Sequence, residues 1–293
     1  MSIYLVCEGP ADGLDGRVLN LVVVQKLGRD VLIEPAGGDR SIGSVAQYLA
    51  ERYRARAYAV EDRNFRSSEE AGQTWKQPSQ KRLIWRRHEI ENYLLDPRLV
   101  ADAFHSLQVT SVRGADNLPQ DGKAAFALLQ KLAQPMLENH AGWLTYWNLN
   151  SYKNAEANDV RLLKPTDSLP PVSSVPGGRV EWLNYLCSEC LRLKQACDHL
   201  FSDATFDEPA IAEKYDNVLS QVTQPDFLSS GQFLLDLGGH ELMSALRAHV
   251  NQAGVSSLSF SDWEDELLKA LDRSYTPGFF EPDDFAQLAD HLA

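Results

Sequence analysis

The 293-residue chain has only four cysteines, three methionines and no long apolar run. Cys7, Cys187, Cys190 and Cys197 are a usage typical of a reducing compartment and not of a disulfide framework, so a cytoplasmic location is expected. No apolar stretch approaches the ~20 residues needed to span a bilayer. The short run Ile3-Tyr4-Leu5-Val6-Cys7 is followed at once by Glu8 instead of lying in a longer apolar segment behind a basic flank, so neither membrane insertion nor export is expected. No Gly-x-Gly-x-x-Gly fingerprint follows an apolar run, which argues against a dinucleotide enzyme. Gly38 and Gly43 have the spacing of a P-loop, but Ser44-Val45 stands where the Lys-Ser/Thr pair is required. A Gly-rich turn before a helix still suits either a phosphate contact or a plain turn.

The hydrophobic fraction of 44% and charged fraction of 24% are those of an ordinary folded protein. The net charge of -13 is unevenly spread. Residues 1–110 hold 15 Lys plus Arg against 15 Asp plus Glu, whereas residues 111–293 hold 13 against 26. An acidic body argues against non-specific coating of nucleic acid but leaves room for a local basic groove. Candidates for such a groove are Arg52, Arg54 and Arg56, and Lys81, Arg82, Arg86 and Arg87; solvated surface charge is the alternative.

The first hundred residues read strand, helix, strand, helix, strand, strand. Ile3–Cys7, Asp30–Ile33, Ala57–Val60 and Arg82–Trp85 are the strand candidates, with helices over Gly13–Leu27 and from an N-cap at Ser41 to about Arg54. The polar stretch Asn64–Gln80 reads as a functional or mobile loop. Beyond Glu91 the periodicity is mostly helical: Pro97–Ser106, Lys123–Asn139, Val180–Phe201, Glu208–Leu219, His240–Val250, Ser261–Leu271 and Asp283–Leu292. Residues 164–178, rich in Pro, Ser and Gly, read as a linker or surface loop. The expected fold class is α/β, a mainly parallel sheet flanked by helices, followed by a mostly helical C-terminal region. The expected division is an α/β domain over 1–110 and a helical region over 111–293 that serves docking or dimerisation.

The chemistry-bearing residues sit at strand ends. Glu8 closes the first run, Asp62-Arg63-Asn64 closes the third, and His88-Glu89-Ile90-Glu91-Asn92 follows the fourth. In an open parallel sheet such ends converge on one crevice. Carboxylates gathered there repel unless a divalent cation joins them, and hard oxygen ligands suit Mg2+ or Mn2+. Asp12 is open to two readings, ligand or helix cap. Residues 62 and 64 share one side of an extended segment and so face one ion, although Asp and Asn also form turns. His88 suits a base, a phosphate contact or a backbone bond equally. Cys187-x-x-Cys190 with Cys197 and His199 invites a zinc site. Val180, Leu183, Cys187, Cys190, Cys197 and Phe201 follow a three-four spacing that fits a buried helical stripe better, and ligands seven residues apart on one helix lie about 10 Å apart along its axis.

Glu8-Gly9 after a first strand, a Gly-rich turn after the second and an Asp-x-Asp-like triplet after the third resemble the Toprim domain of topoisomerases, primases and OLD-type nucleases. Arg63-Asn64-Phe65 and His88-Glu89-Ile90-Glu91-Asn92-Tyr93-Leu94-Leu95 resemble an OLD-like branch that includes the nuclease subunit of the PARIS anti-phage system, which works beside an ABC-type ATPase. The resemblance covers about the first hundred residues, with Gly238-Gly239-His240-Glu241-Leu242 in the expected later region.

It implies a Mg2+- or Mn2+-dependent endonuclease with Glu8, Asp62 and Glu91 as catalytic residues. Glu8, Asp12, Asp62, Asn64 and Glu91 would lie about the metal, with Lys81, Arg82, Arg86, Arg87 and His88 toward nucleic acid. Transfer RNA is the implied substrate ahead of DNA, an ABC-type ATPase the implied partner, a toxic antiviral effector the implied role, and a homodimer an accessory expectation. Asn64 departs from the usual second aspartate and removes a charge, which opens the alternative of an inactive Toprim adaptor that binds the ATPase or nucleic-acid ends.

Overall fold

A computed structural model describes all residues except 1, 11, 39–40, 78, 110–113, 152–174, 197–205 and 254–258, and the side chains of 151, 196 and 260. Most of the sequence region 164–178, together with Cys197 and His199, therefore lies outside the described residues.

Among the described residues four strands, β1 (Ile3–Cys7), β2 (Leu32–Pro35), β3 (Arg56–Glu61) and β4 (Arg82–Ile84), form one all-parallel sheet in the order β2-β1-β3-β4. Tyr4 pairs with Leu32 on one side and Ala57 on the other, and Val60 pairs with Leu83. The central strands β1 and β3 are short and apolar because both faces are covered: Leu5, Val6, Tyr58, Ala59 and Val60 are all buried.

The first crossover is α1 (Leu14–Leu19) running into a wider π-type stretch over Asn20–Lys26, so the single expected helix changes winding partway. The second is α2 (Ile42–Tyr53), whose Ile42 and Leu49 pack on Val6, Ala57 and Ala59. Ser41 occupies the cap position of α2 but makes no side-chain cap bond. A short helix, α3 (Ser68–Thr74), stands inside the stretch expected as loop. Its signal is a capping box, with Ser67 and Glu70 exchanging side-chain and backbone bonds. It lacks the apolar stripe on which a periodicity reading depends.

The helices that follow are α4 (Glu91–Leu94), α5 (Pro97–Val109), α6 (Gly122–Ala133), α7 (Leu137–Ser151), α8 (Arg179–Ala196), α9 (Glu208–Val222), α10 (Pro225–Ser229), α11 (Phe233–Asp236), α12 (Gly239–Gln252), α13 (Phe260–Ser274) and α14 (Asp284–His291). The run expected over Lys123–Asn139 breaks at a 3-10 turn over Gln134–Met136, where Pro135 removes a helical donor.

The chain divides into two compact units, one of residues 1–132 with 234–293 and one of residues 133–233. The last sixty residues thus belong with the sheet, and the division differs from a single boundary near residue 110. The physical reason is an aromatic nest. Trp85, immediately after β4, and Tyr93 pack on Phe285 of α14 at ring-centroid distances of 5.3 and 4.8 Å, and Phe280 lies 5.3 Å from Tyr93. Phe104 of α5 stacks on Trp263 of α13 at 5.5 Å. In the second unit α7, α8 and α9 pack together, with Trp182 pressed so closely on Gly142 that any Cβ there would lie 2.1 Å from the indole.

Phe285 is fully buried in the nest, so Phe285→Ala is expected to lower the unfolding free energy of the sheet unit by about 3–5 kcal/mol. Chemical denaturation followed by tryptophan fluorescence checks this; a loss under about 1 kcal/mol would mean that α14 does not hold the sheet unit together.

Candidate functional site: an acidic crevice at the strand ends

From β1 the chain steps outward to β2 on one side and then returns to β3 on the other, so the strand order reverses between β1 and β3. A crevice opens at the carboxyl ends of such a switch point. Glu8 follows β1 and Asp62 follows β3. The Asp62 backbone N–H donates to Glu8 Oε1 at 3.0 Å, which fixes the two strand ends relative to each other.

Asp15, in the first turn of α1, adds a third acid. Gly9 permits its approach: the glycine has φ of 83°, and a Cβ there would lie 3.1 Å from Asp15 Oδ2. Glu89 and Glu91 come from the bend after β4 and the first turn of α4.

The acids act on one another electrically. Burial, followed by the charges of Glu91 and Glu8, pushes the Asp15 carboxyl up to about 7. Burial and then the Glu91 charge raise Glu89 to about 7, against the opposing effect of a bond from the His240 backbone. Asp62 lies well above the ordinary carboxylate range, first through burial and then through Asp15, Glu8, Glu89 and Glu91. The neighbouring Cys7 thiol is pushed up to about 12 by burial and by Asp15, Asp62 and Glu8.

One oxygen of Asp62, Oδ1, is buried without a hydrogen-bond partner. A buried acceptor left in this state is costly unless a cation or donor satisfies it. Among the described residues, however, no three His, Cys, Asp or Glu side chains are drawn together as a finished metal cage. The acids stand within electrostatic range and short of a closed coordination shell. Their oxygen chemistry and the orphaned Asp62 Oδ1 fit a hard divalent cation.

A wall of the crevice comes from α12. The His240 backbone N–H, at its N-terminus, donates to Glu89 Oε2 at 3.0 Å, and His240 Nδ1 lies 3.8 Å from Glu91 Oε1. Gly239 has no room for a side chain, since a Cβ would fall 2.6 Å from Asn92 Oδ1 and 2.8 Å from Glu91 Cβ. The Gly238-Gly239-His240 segment noted in the sequence thus meets the Glu89–Asn92 segment directly.

The other residues singled out are placed differently. Asp12 is exposed, and Gly13 rather than Asp12 holds the cap position of α1. Asn64 does not continue an extended segment beside Asp62: the strand ends at Glu61, Asn64 adopts φ of 52°, and its amide turns back to the Asp62 carbonyl at 3.4 Å. The tolerance of Asn for left-handed backbone explains the turn, and the side-sharing expected of residues 62 and 64 does not apply.

The arginines expected toward phosphate are engaged in the fold. Arg82 forms a double ion pair with buried Glu61. Arg86 pairs with Asp284 and Gln287 and lies 5.0 Å over Trp75, and buried Arg87 is sandwiched between Tyr93 and Phe280 while donating to the Asn92 carbonyl. Lys81 is exposed. His88 is only 3% exposed, edge-on to Phe65 and with Nε2 3.7 Å from Glu89.

Asp15 escaped the sequence reading because an acid one turn into a helix ordinarily serves the helix dipole. The signal that could have found it is Gly9, a glycine directly after a strand-end acid.

A scan against protein-family models matches no family, and a search of curated proteins finds no match.

The raised carboxyls set a pH dependence. A carboxyl titrating near 7 when folded and near 4 when unfolded binds more protons in the folded state between those values. The sign is therefore a loss of stability as pH rises through that window, complete above about 7. In EDTA the melting temperature of Asp15→Asn should fall less steeply than that of wild type between about pH 5 and pH 8. Parallel slopes would show that Asp15 carries no raised carboxyl.

Proposed function

We propose that the crevice binds a divalent cation and cleaves phosphodiester bonds, with Glu8, Asp62 and Glu91 as the central acids and Asp15 and Glu89 beside them. The observation that carries this reading is Asp62: a buried, unsatisfied carboxylate oxygen amid four other acids at a switch point. Such a cluster is unfavourable as it stands and is relieved by a cation. Bound Mg2+ or Mn2+ supplies charge stabilisation for the scissile phosphate and lowers the pKa of a coordinated water.

The chain's own groups do the rest. Asp62 and Glu91 hold the ion, Asp15 and Glu89 add negative charge beside them, and Glu8, anchored through the Asp62 amide, takes up a proton at its carboxylate. Asp12 and Asn64 are left outside this set by their positions. Arg82, Arg86 and Arg87 are engaged elsewhere, and Lys81 stands ahead of β4, away from its carboxyl end, so none of these four is assigned to a flanking phosphate.

The Toprim resemblance extends the proposal to RNA, transfer RNA in particular, and to a toxic effector of an ATPase-coupled antiviral system. A second reading, a non-catalytic Toprim adaptor that binds the ATPase or nucleic-acid ends, draws on Asn64, whose amide is turned to its own backbone.

Wild type, Glu8→Ala and Asp62→Ala incubated with total RNA and plasmid DNA in Mg2+, Mn2+ or EDTA separate the two. The nuclease predicts metal-dependent cutting reduced on the order of a hundredfold or more in each variant. Metal-dependent cutting that survives both substitutions would rule out this crevice. No cutting, even with the ATPase and its trigger added, leaves the adaptor.

A further inference from the structure

Three residues flanking the crevice acids in sequence converge on one short stretch of chain. Arg63, next to Asp62, donates to the Leu235 carbonyl at 2.9 Å and pairs with Asp236. His88, next to Glu89, donates its backbone N–H to the same Leu235 carbonyl at 2.8 Å. Asn92, next to Glu91, spans the Leu234 and Leu237 carbonyls with its amide at 3.0 and 2.9 Å, while its Oδ1 accepts from the Glu89 backbone at 2.9 Å. Every backbone carbonyl named here is more than 140 residues from its partner in sequence.

We infer that Leu234–Leu237 is a strap that positions the carboxylates of the crevice, with Asn92 and Arg63 as the positioning residues through which it acts. The inference rests on the metal reading above and adds to it a set of residues that touch neither ion nor substrate.

The geometry suits the role. Arg63 and Asn92 are almost completely buried, and both carry rigid planar donor groups. The Leu235 carbonyl receives two donors, one from the β3 end and one from the bend before α4, so a single atom ties together the backbones that carry Asp62 and Glu89. Asn92 ties the Glu89 turn to the strap, and a further backbone bond, Asn64 N–H to the His88 carbonyl at 3.0 Å, joins the β3 and β4 ends themselves. Carboxylates that repel one another spread unless their backbones are fixed, and fixing them before a cation arrives raises affinity by removing the cost of ordering.

The test is a Mn2+ titration read by thermal shift, on wild type, Asn92→Ser and Arg63→Met. Serine is too short to span both strap carbonyls. Methionine removes a positive charge beside Asp62, so simple electrostatics predicts tighter cation binding. The strap predicts the opposite: in both variants the Mn2+ concentration giving half of the shift rises at least about tenfold, roughly 1.4 kcal/mol of binding free energy, while melting stays cooperative.

A wild-type shift with unchanged or lowered midpoints in the variants overturns the strap alone. No shift in wild type overturns the metal reading and the strap with it. Should Asn92→Ser melt without cooperativity, Arg63→Met decides, because the two act on different carbonyls.

Discussion

The constraint on which the rest depends is the mutual repulsion of carboxylates forced together where the sheet reverses its strand order. Glu8 and Asp62 stand on the ends of adjacent parallel strands, and Asp15, Glu89 and Glu91 close in from the flanking turns. Burial first, and the neighbouring carboxylates after it, disfavour the charged form, which is why Asp15 and Glu89 hold their protons up to about 7 and Asp62 lies higher than an ordinary carboxylate. A fold selected for stability alone would not gather them. A divalent cation is the partner we propose to relieve that repulsion.

Much of the sheet unit can be understood as support for that arrangement. Gly9 and Gly239 are bare because acids or their neighbours occupy the space a side chain would need. The α12 N-terminus offers a backbone donor to Glu89, in keeping with the preference of helix N-termini for anions. Arg82, Arg86 and Arg87 neutralise Glu61 and Asp284 or stack on aromatics behind the site, so their positive charge goes to packing the walls. Residues 234–293 return to complete the unit that 1–132 begins.

The strands and the acids at their ends were legible in the sequence because short apolar runs ending in Glu8, Asp62 and the Glu89–Glu91 cluster combine two local signals. Asp15 was hidden as an ordinary first-turn helix acid. The partners of Arg86 and Arg63 were unreadable for another reason: Asp284 and Asp236 lie 198 and 173 residues away, and sequence spacing carries no trace of such pairings. Amphipathic periodicity showed that α12 to α14 bury a face, with no indication that the face belongs to the sheet unit. Asn64 was misplaced by extending strand alternation past the point where the strand ends.

Calorimetric titration of Mn2+ at about pH 7, in two buffers of different ionisation heat, tests the central claim most directly, because it counts protons as well as ions. If the acids hold protons that a cation must displace, Mn2+ binds with proton release. The release should shrink in Asp15→Asn, and binding should be lost in Asp62→Ala. Absence of binding, or binding of equal affinity in Asp62→Ala, would contradict the account.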